Sequence, residues 1–389
     1  MRRPPRPVLC VVGARPNYMK MAPLLRAFAG QPALERPVLV HTGQHYDLAM
    51  NERLFADLHL PTPEVNLEVG SGSHAQQTAE VMRRFEPLLD RHDPACVLVV
   101  GDVNSTLACS LVAVKRHVPV VHVEAGLRSF DLDHPYPEEA NRRLISIVAR
   151  LHFAPTRRAA DNLISEGLEA DKVRITGNTV IDALLRLPPR VTASTQPLVP
   201  RLRAGQRLIL VTSHRREAWG SELSGICRAL ARLRDDFADT VIVYPVHPNP
   251  NVRATVMTLL GNQERIHLVD PLDYFDFVEL MRAAYLILTD SGGVQEEAPT
   301  FRVPVLVLRR VTERPEAVEQ GSARLVGTDT ETIVREASAL LRDRQAYSRM
   351  QELPNPFGDG RASERIVESI GEFLGAVPDH ADTFDRMAL

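Results

Sequence analysis

Long apolar runs are scarce in this sequence. The only one near the amino terminus, Val8 to Val12, falls far short of the roughly 18 residues that a membrane span requires. The basic start Met-Arg-Arg-Pro-Pro-Arg-Pro leads into no extended apolar core of the kind a signal peptide carries. A cytoplasmic protein without a membrane partner is therefore expected. A surplus of one charge is lacking too: the formal net charge of −3 gives no long-range attraction for nucleic acid, so residues that bind an anion must be clustered locally. Cysteine is sparse. Cys10, Cys96, Cys109 and Cys227 show no CxxC spacing, so neither a zinc site nor a redox pair is expected. Cys10 and Cys96 lie in apolar runs, where a free thiol behaves as a small hydrophobe. No Walker lysine loop, no GxGxxG and no metal-ligand spacing is present; no metal and no cofactor is expected.

What the chain does have is alternation. Its 389 residues suit two domains of roughly 150–200 residues each. Short apolar runs alternate with helical patterns throughout, as parallel βαβ units do. Strands are expected at 8–14, 37–43, 96–102, 119–125 and 152–155, then at 207–214, 240–247, 265–270, 285–291 and 303–309. These runs are apolar on both faces, which calls for helices on both sides of each sheet. The Pro-rich, weakly charged stretch from Leu187 to Pro200 reads as a linker. Ser363 to Ala376 reads as a last amphipathic helix ahead of a frayed tail. The expected fold class is α/β, with two Rossmann-like domains.

Polar residues end nearly every strand: Gly13-Ala14-Arg15, Thr42-Gly43-Gln44-His45, Gly101-Asp102, Glu124, His214-Arg215-Arg216-Glu217, His247 and Asp290-Ser291-Gly292-Gly293. Open parallel sheets bind ligands outside the carboxyl ends of their strands, so two domains with such ends facing would form one cleft. Polar loops account for Asp and Gly at these points; the recurrence of His, Arg and Glu favours the cleft. Ser291-Gly292-Gly293 leads from a strand into a helix. Two glycines let the backbone approach a diphosphate, and a helix N-terminus offers it free N–H groups. A carboxylate one turn on, Glu296 or Glu297, could hold ribose hydroxyls. Arg314 suits a second phosphate contact, with a solvated surface arginine as the alternative. Arg15 and Lys20 stand on another strand-to-helix loop aimed at the same cleft. Asp102, Glu124 and Glu138 lie at or just past strand ends of the first domain. Removing a proton from a sugar carbon needs a base held dry and close, and burial beside like charges makes a carboxylate more basic. His214 could protonate or hydrogen-bond a departing phosphate; by residue type alone a structural role is equally open.

Taken in order, GARPNYMKMAPL, HTGQHYD, VHVEAGLRSFD, YPEEANRRL, ITGNTVIDAL, VTSHRRE, YPVHPNPNV, PLDYFDFVELM, YLILTDSGGVQEEAPT, TERPEAVEQG and NPFGDGRAS resemble the non-hydrolysing UDP-N-acetylglucosamine 2-epimerases, from Gly13 to about Ile366. The resemblance implies a GT-B-like arrangement of residues 1–186, bearing the acid/base carboxylates, and 187–365, binding UDP. Residues 366–389 would form a helix crossing back to the first domain and a tail. It implies a homodimer without cofactor or metal that interconverts UDP-GlcNAc and UDP-ManNAc and supplies cell-surface polysaccharide biosynthesis. The C2 proton would leave as UDP leaves C1, giving a held 2-acetamidoglucal, and UDP would re-add after protonation on the other face. Carried onto matching positions, Arg15, Lys20, His45, Arg142, Asn178, His214, Ser291, Gly292, Gly293, Glu297 and Arg314 would hold the UDP-sugar, with Phe277 against the uracil. Asp102, Glu124 and Glu138 would be the acid/base set, with His214 assisting loss and return of UDP. Which carboxylate takes the proton stays open.

There are departures from the family pattern. Ala14-Arg15-Pro16-Asn17 stands where Thr-Arg-Pro-Glu is usual, Val103 where Thr is common, and Ala218 where Ser or Asn usually follows His-Arg-Arg-Glu. None removes a group assigned to chemistry, so the reaction class stands, while the sugar preference opens to a modified UDP-sugar. Many bacterial relatives bind a second, activating UDP-GlcNAc through the residue matching Gln44 and an Arg-Gln pair. Here Gln76-Gln77 occupy that pair, so the arginine is missing unless a residue such as Arg84 substitutes, and weak activation is expected. A GT-B glycosyltransferase is the rival reading; it would need an acceptor, and no three carboxylates opposite C2.

Overall fold

The computed structural model describes residues 6–43, 61–187, 202–213 and 220–376, with the backbone alone at Arg15. The expected linker beyond Leu187, Gln44, His45, His214 and the tail from Val377 lie outside the described residues. The chain divides into two units, Met1–Leu187 with Phe357–Leu389, and Pro188–Pro356.

The first unit is built on β1 Val8–Val12, β2 Val38–His41, β3 Val65–Asn66, β4 Cys96–Val100, β5 Val120–Val123, β6 Leu151–Ala154 and β7 Val173–Ile175. All neighbours are parallel, in the order β3-β2-β1-β4-β5-β6-β7. Every residue of β1 and β4 is buried, which explains their unbroken Val/Leu/Cys runs. On one face Leu9, Val11, Val97 and Val99 share a core with Phe85, Leu88 and Cys109 from covering helices. Burying one such side chain contributes about 1.5–3 kcal/mol. The helices Arg15–Ala29, Thr179–Arg186 and Ala362–Phe373 pack on one another. The chain leaves β1 toward β2 on one side while β4 lies on the other, so the strand order reverses between β1 and β4, and that is where such a sheet opens a ligand crevice.

The second unit repeats the plan with β8 Arg207–Thr212, β9 Thr240–Pro245, β10 Ile266–Val269, β11 Leu286–Thr289, β12 Val305–Val307 and β13 Ala323–Leu325. Its order is β10-β9-β8-β11-β12-β13, again parallel, with the reversal between β8 and β11. Ile209, Val211, Ile242, Tyr244 and Leu288 meet Leu230 and Leu340 in its core.

Three strands were not expected: β3, β7 and β13. Each is an edge strand of two or three residues, and short edges leave no apolar run to read. The return to the first unit comes at Phe357, ahead of the expected boundary at 365. Phe357 is 1% exposed and its carbonyl accepts from the backbone N–H of Asn178. Asp182 then accepts from the backbone N–H groups of Ala362 (3.1 Å) and Ser363 (2.7 Å), which satisfies the start of the last helix.

His122 on β5 and His152 on β6 are register partners in the interior. Burial pushes the His122 imidazole down to about 4 and that of His152 down to about 3. Both are neutral in the folded protein and free to protonate near 6.5 once unfolded. Between about pH 6.5 and 4 the unfolded chain therefore binds more protons. Their contribution is complete above 6.5 and is lost as pH falls, by about 1.4 kcal/mol per pH unit for each histidine. Urea midpoints followed by circular dichroism should fall steadily from pH 7 to pH 5; a flat profile would contradict this.

Candidate functional site

The first cluster grows from the turn that ends β4. Gly101 has φ +70°, and a Cβ there would stand 3.3 Å from Glu124 Oε2 and 3.6 Å from Asn17 Nδ2. Glycine is favoured by the left-handed backbone, and a side chain there would crowd the carboxylate. The three carbonyls of this turn are held one by one. Val100 O accepts from Asn17 Nδ2 (2.9 Å) and Thr106 Oγ1 (3.0 Å). Gly101 O lies 2.8 Å from His122 Nε2, and Asp102 O accepts from Asn141 Nδ2 at 2.8 Å.

The Asp102 carboxylate accepts from Arg142 Nε at 2.7 Å, with the Arg142 Nη2 also 2.7 Å away. The same guanidinium reaches Glu139 Oε2 through Nη1 at 3.2 Å. Glu139 is fully buried and accepts from the backbone N–H groups of Ser129 (3.0 Å) and Phe130 (3.3 Å). One cation thus holds two carboxylates and, through Glu139, the loop that follows Glu124. Glu124, just past β5, is 9% exposed and has φ +63°, a left-handed conformation costing on the order of 1–3 kcal/mol in a non-glycine residue. It is ion-paired with Lys20 Nζ and lies 3.4 Å from Asn178 Nδ2. Asn178 also caps the helix Thr179–Arg186. Glu138 is half-buried at the first turn of the helix Glu138–Val148.

Of the residues expected on the UDP-sugar, Lys20, Arg142 and Asn178 are therefore brought onto the carboxylates, because buried anions need cations or amide donors beside them. At the expected activator position, Gln76 is engaged in a reciprocal cap with Ser73. Gln77 Nε2 lies 3.4 Å from Gly70 O. Arg84 is committed to Glu80 and to the carbonyls of Leu67 (2.6 Å) and Glu68 (2.8 Å).

The second cluster lies past β11. Ser291 precedes the helix Gly292–Glu297 and donates its backbone N–H to Thr289 Oγ1 at 3.0 Å. A Cβ on Gly292 would stand 2.7 Å from Arg314 Nη1, so the glycine makes room for that guanidinium. Arg314 Nε donates to Glu296 Oε1 at 2.7 Å, and Glu296 is 3% exposed. Burial pushes the Glu313 carboxyl up, but the Arg309 hydrogen bond and the charges of Arg309 and Arg314 outweigh it and hold it at about 2. Of the two candidate carboxylates, Glu296 is the one spent on Arg314, while Glu297 lies beside exposed Gly293. Phe277 is half-buried on the helix Tyr274–Ala283.

Sequence reading missed Asn17, His122, Glu139, Asn141 and the pairing of Glu296. The available signal was the Glu139–Arg142 spacing of three, which puts both on one helix face. Among the described residues no group of three His, Cys, Asp or Glu could hold a metal ion, and no helix is long and apolar enough to cross a membrane.

Arg142→Met would strip the cation from buried Glu139 and from Asp102 together. Removing one partner of a buried pair costs about 3–5 kcal/mol, so the urea midpoint should drop sharply. A midpoint near that of the wild type would mean that the guanidinium bridge contributes little.

Comparison with known proteins matches residues 28–371 to the family model described as UDP-N-acetylglucosamine 2-epimerase. The UDP-N-acetylglucosamine 2-epimerase of Escherichia coli K12 is 45% identical over 369 residues, covering 93% of this chain and 98% of that protein. The S. aureus MnaA structure solved with UDP has a TM-score of 0.85 at 40% identity, covering 96% of this chain and 98% of that one. The Neisseria meningitidis UDP-GlcNAc 2-epimerase bound to UDP-GlcNAc has a TM-score of 0.83 at 38% identity, covering 93% and 99%. The chain belongs to the UDP-N-acetylglucosamine 2-epimerase family, with the GT-B-like fold of its structural neighbours.

Proposed function

We propose that the protein is a non-hydrolysing UDP-N-acetylglucosamine 2-epimerase. The observation that carries this reading is the placement of Asp102 and Glu124 at the ends of adjacent strands β4 and β5, each held by its own cation, in a chain of this family. Inversion at C2 needs one group to take a proton from one face and another to return it to the other. In the forward step a carboxylate takes the C2 proton, the C2–H electron pair forms the C1=C2 bond, and the C1–O pair departs with UDP. In the return step a proton is delivered to C2 on the opposite face and a UDP oxygen bonds to C1. Asp102, Glu124 and Glu138 make up the acid/base set, with Lys20, Arg142 and Asn178 fixing the orientation of the first two. Ser291, Gly292, Gly293, Glu297 and Arg314 hold UDP, Phe277 lies against the uracil, and Arg15, His45 and His214 complete the set. The relatives solved with UDP and with UDP-GlcNAc support a UDP-sugar as substrate. A homodimer, a cytoplasmic location and supply of an activated sugar for polysaccharide biosynthesis belong to the same proposal and rest on the resemblance.

Proton NMR of UDP-GlcNAc with the protein in D2O and EDTA tests the reading. The expected outcome is a mixture with UDP-ManNAc carrying deuterium at C2. Asp102→Asn should slow it by roughly 10²–10⁴-fold while UDP binding persists. Epimerisation without deuterium uptake, or dependence on added metal, would overturn the mechanism, and change only with an acceptor sugar would favour a glycosyltransferase.

We also propose that UDP-GlcNAc activates this enzyme weakly. Gln76 and Arg84 are both engaged locally, which supports the reading that neither replaces the missing arginine's phosphate contact beside Gln44 and Gln77. A charged phosphate contact is worth about 1.5–3 kcal/mol, or roughly tenfold to a hundredfold in affinity. UDP-ManNAc alone should then be converted at an appreciable rate. A strict requirement for added UDP-GlcNAc in the reverse direction would refute this.

A further inference from the structure

We propose that His122 is a positioning residue for the epimerisation, acting on Asp102 and Glu124 through the Gly101 peptide; the inference rests on the reading above. The Gly101 carbonyl can only accept, so the 2.8 Å contact places the proton of His122 on Nε2. Its Nδ1 is then the bare nitrogen, buried and without a hydrogen-bond partner. The ring is completely buried, in mid-strand on β5. An imidazole with one nitrogen unsatisfied in a core is costly there, and its single polar contact goes to the Gly101 peptide. That peptide stands between the two carboxylates. Asp102 is the next residue, and Glu124 Oε2 lies 3.3 Å from where a Gly101 Cβ would be. Gly101 is in the left-handed region, where a glycine is free to swing unless something holds it. The neighbouring carbonyls of Val100 and Asp102 are held by Asn17 and Asn141, so His122 supplies the middle tether of three. Without it the peptide can rotate, turning Asp102 away from Arg142 and changing the surface on which Glu124 rests. A neutral donor suits a tether of this kind, and burial above all holds the ring unprotonated at ordinary pH.

Three variants test this. His122→Leu removes the donor; His122→Asn carries an amide too short to reach Gly101; His122→Gln places an amide N–H near the position of Nε2. A misplacement of about 1 Å can cost roughly 100-fold in rate, so His122→Leu and His122→Asn should lose about 10–100-fold in kcat on UDP-GlcNAc. Their KM and UDP affinity should stay within about threefold of the wild type, and His122→Gln should recover most of the rate. If His122→Leu does not fold, the Asn and Gln pair carries the comparison. Equal losses in His122→Asn and His122→Gln, a loss confined to KM or folded fraction, or unchanged kcat would overturn the proposal. Wild-type protein runs in the same assay: an inactive wild type sinks the epimerase reading, whereas an active wild type with insensitive variants sinks this inference alone.

Discussion

The first unit's site depends on one requirement, that a carboxylate taken out of water must meet a cation or a fixed donor. Glu139, Glu124 and Asp102 are matched by only two cationic side chains among the described residues that contact them, Arg142 and Lys20. Arg142 therefore has to serve two anions. A planar guanidinium can do so because its donors point in several fixed directions. A lysine at 142 would offer a point charge without that fork, and either Asp102 or Glu139 would lose its directed contact. The bridge also ties the helix Glu138–Val148 to the end of β4, and so sets where Glu138 stands relative to Asp102.

The topology puts this chemistry where a parallel sheet can use it. Strand order reverses at β1 and β4 in the first unit and at β8 and β11 in the second. The carboxyl end of β1 feeds the helix that carries Asn17 and Lys20, and the end of β4 carries Asp102. In the second unit the end of β11 carries Ser291 and the glycines that admit Arg314. The two units thus share a backbone plan and differ in what is hung on it: carboxylates with cations in one, an arginine beside a glycine turn in the other. Fold alone does not assign function; the side chains at the reversal do.

Much of the fold was legible because strands covered on both faces read as unbroken apolar runs, as Cys96–Val100 does. The carboxylates were legible because they stand at the ends of those runs. What was not legible is the helix Glu138–Val148, whose buried face is mostly polar. Glu139, Asn141, Arg142 and Ser146 are buried beside a single core apolar residue, Ile145, while Leu144 and Ile147 are 47% and 77% exposed. Periodicity of apolar residues locates the face that seeks a core; it cannot locate a face buried for the sake of its hydrogen bonds. Between neighbouring Glu296 and Glu297 the sequence was equally silent. Their difference follows from Arg314, eighteen positions on, whose approach over Gly292 is a tertiary fact. His122 reads as one more residue of a buried strand, and only the carbonyl it faces sets it apart.

The return of the chain to the first unit joins this same network. Phe357 is buried, and its carbonyl accepts from the backbone N–H of Asn178. The side chain of Asn178 accepts from Val180 N at 3.1 Å and stands 3.4 Å from Glu124. One asparagine therefore links the returning segment, the start of the helix Thr179–Arg186 and a candidate acid/base group. Four residues further along that helix, Asp182 receives the first N–H groups of the last helix. Displacing the returning segment would free the backbone of Asn178 and unseat the start of its helix together. The same residue stands beside Glu124, so a candidate acid/base group and a segment more than 230 positions later in sequence, at Phe357, meet on one asparagine.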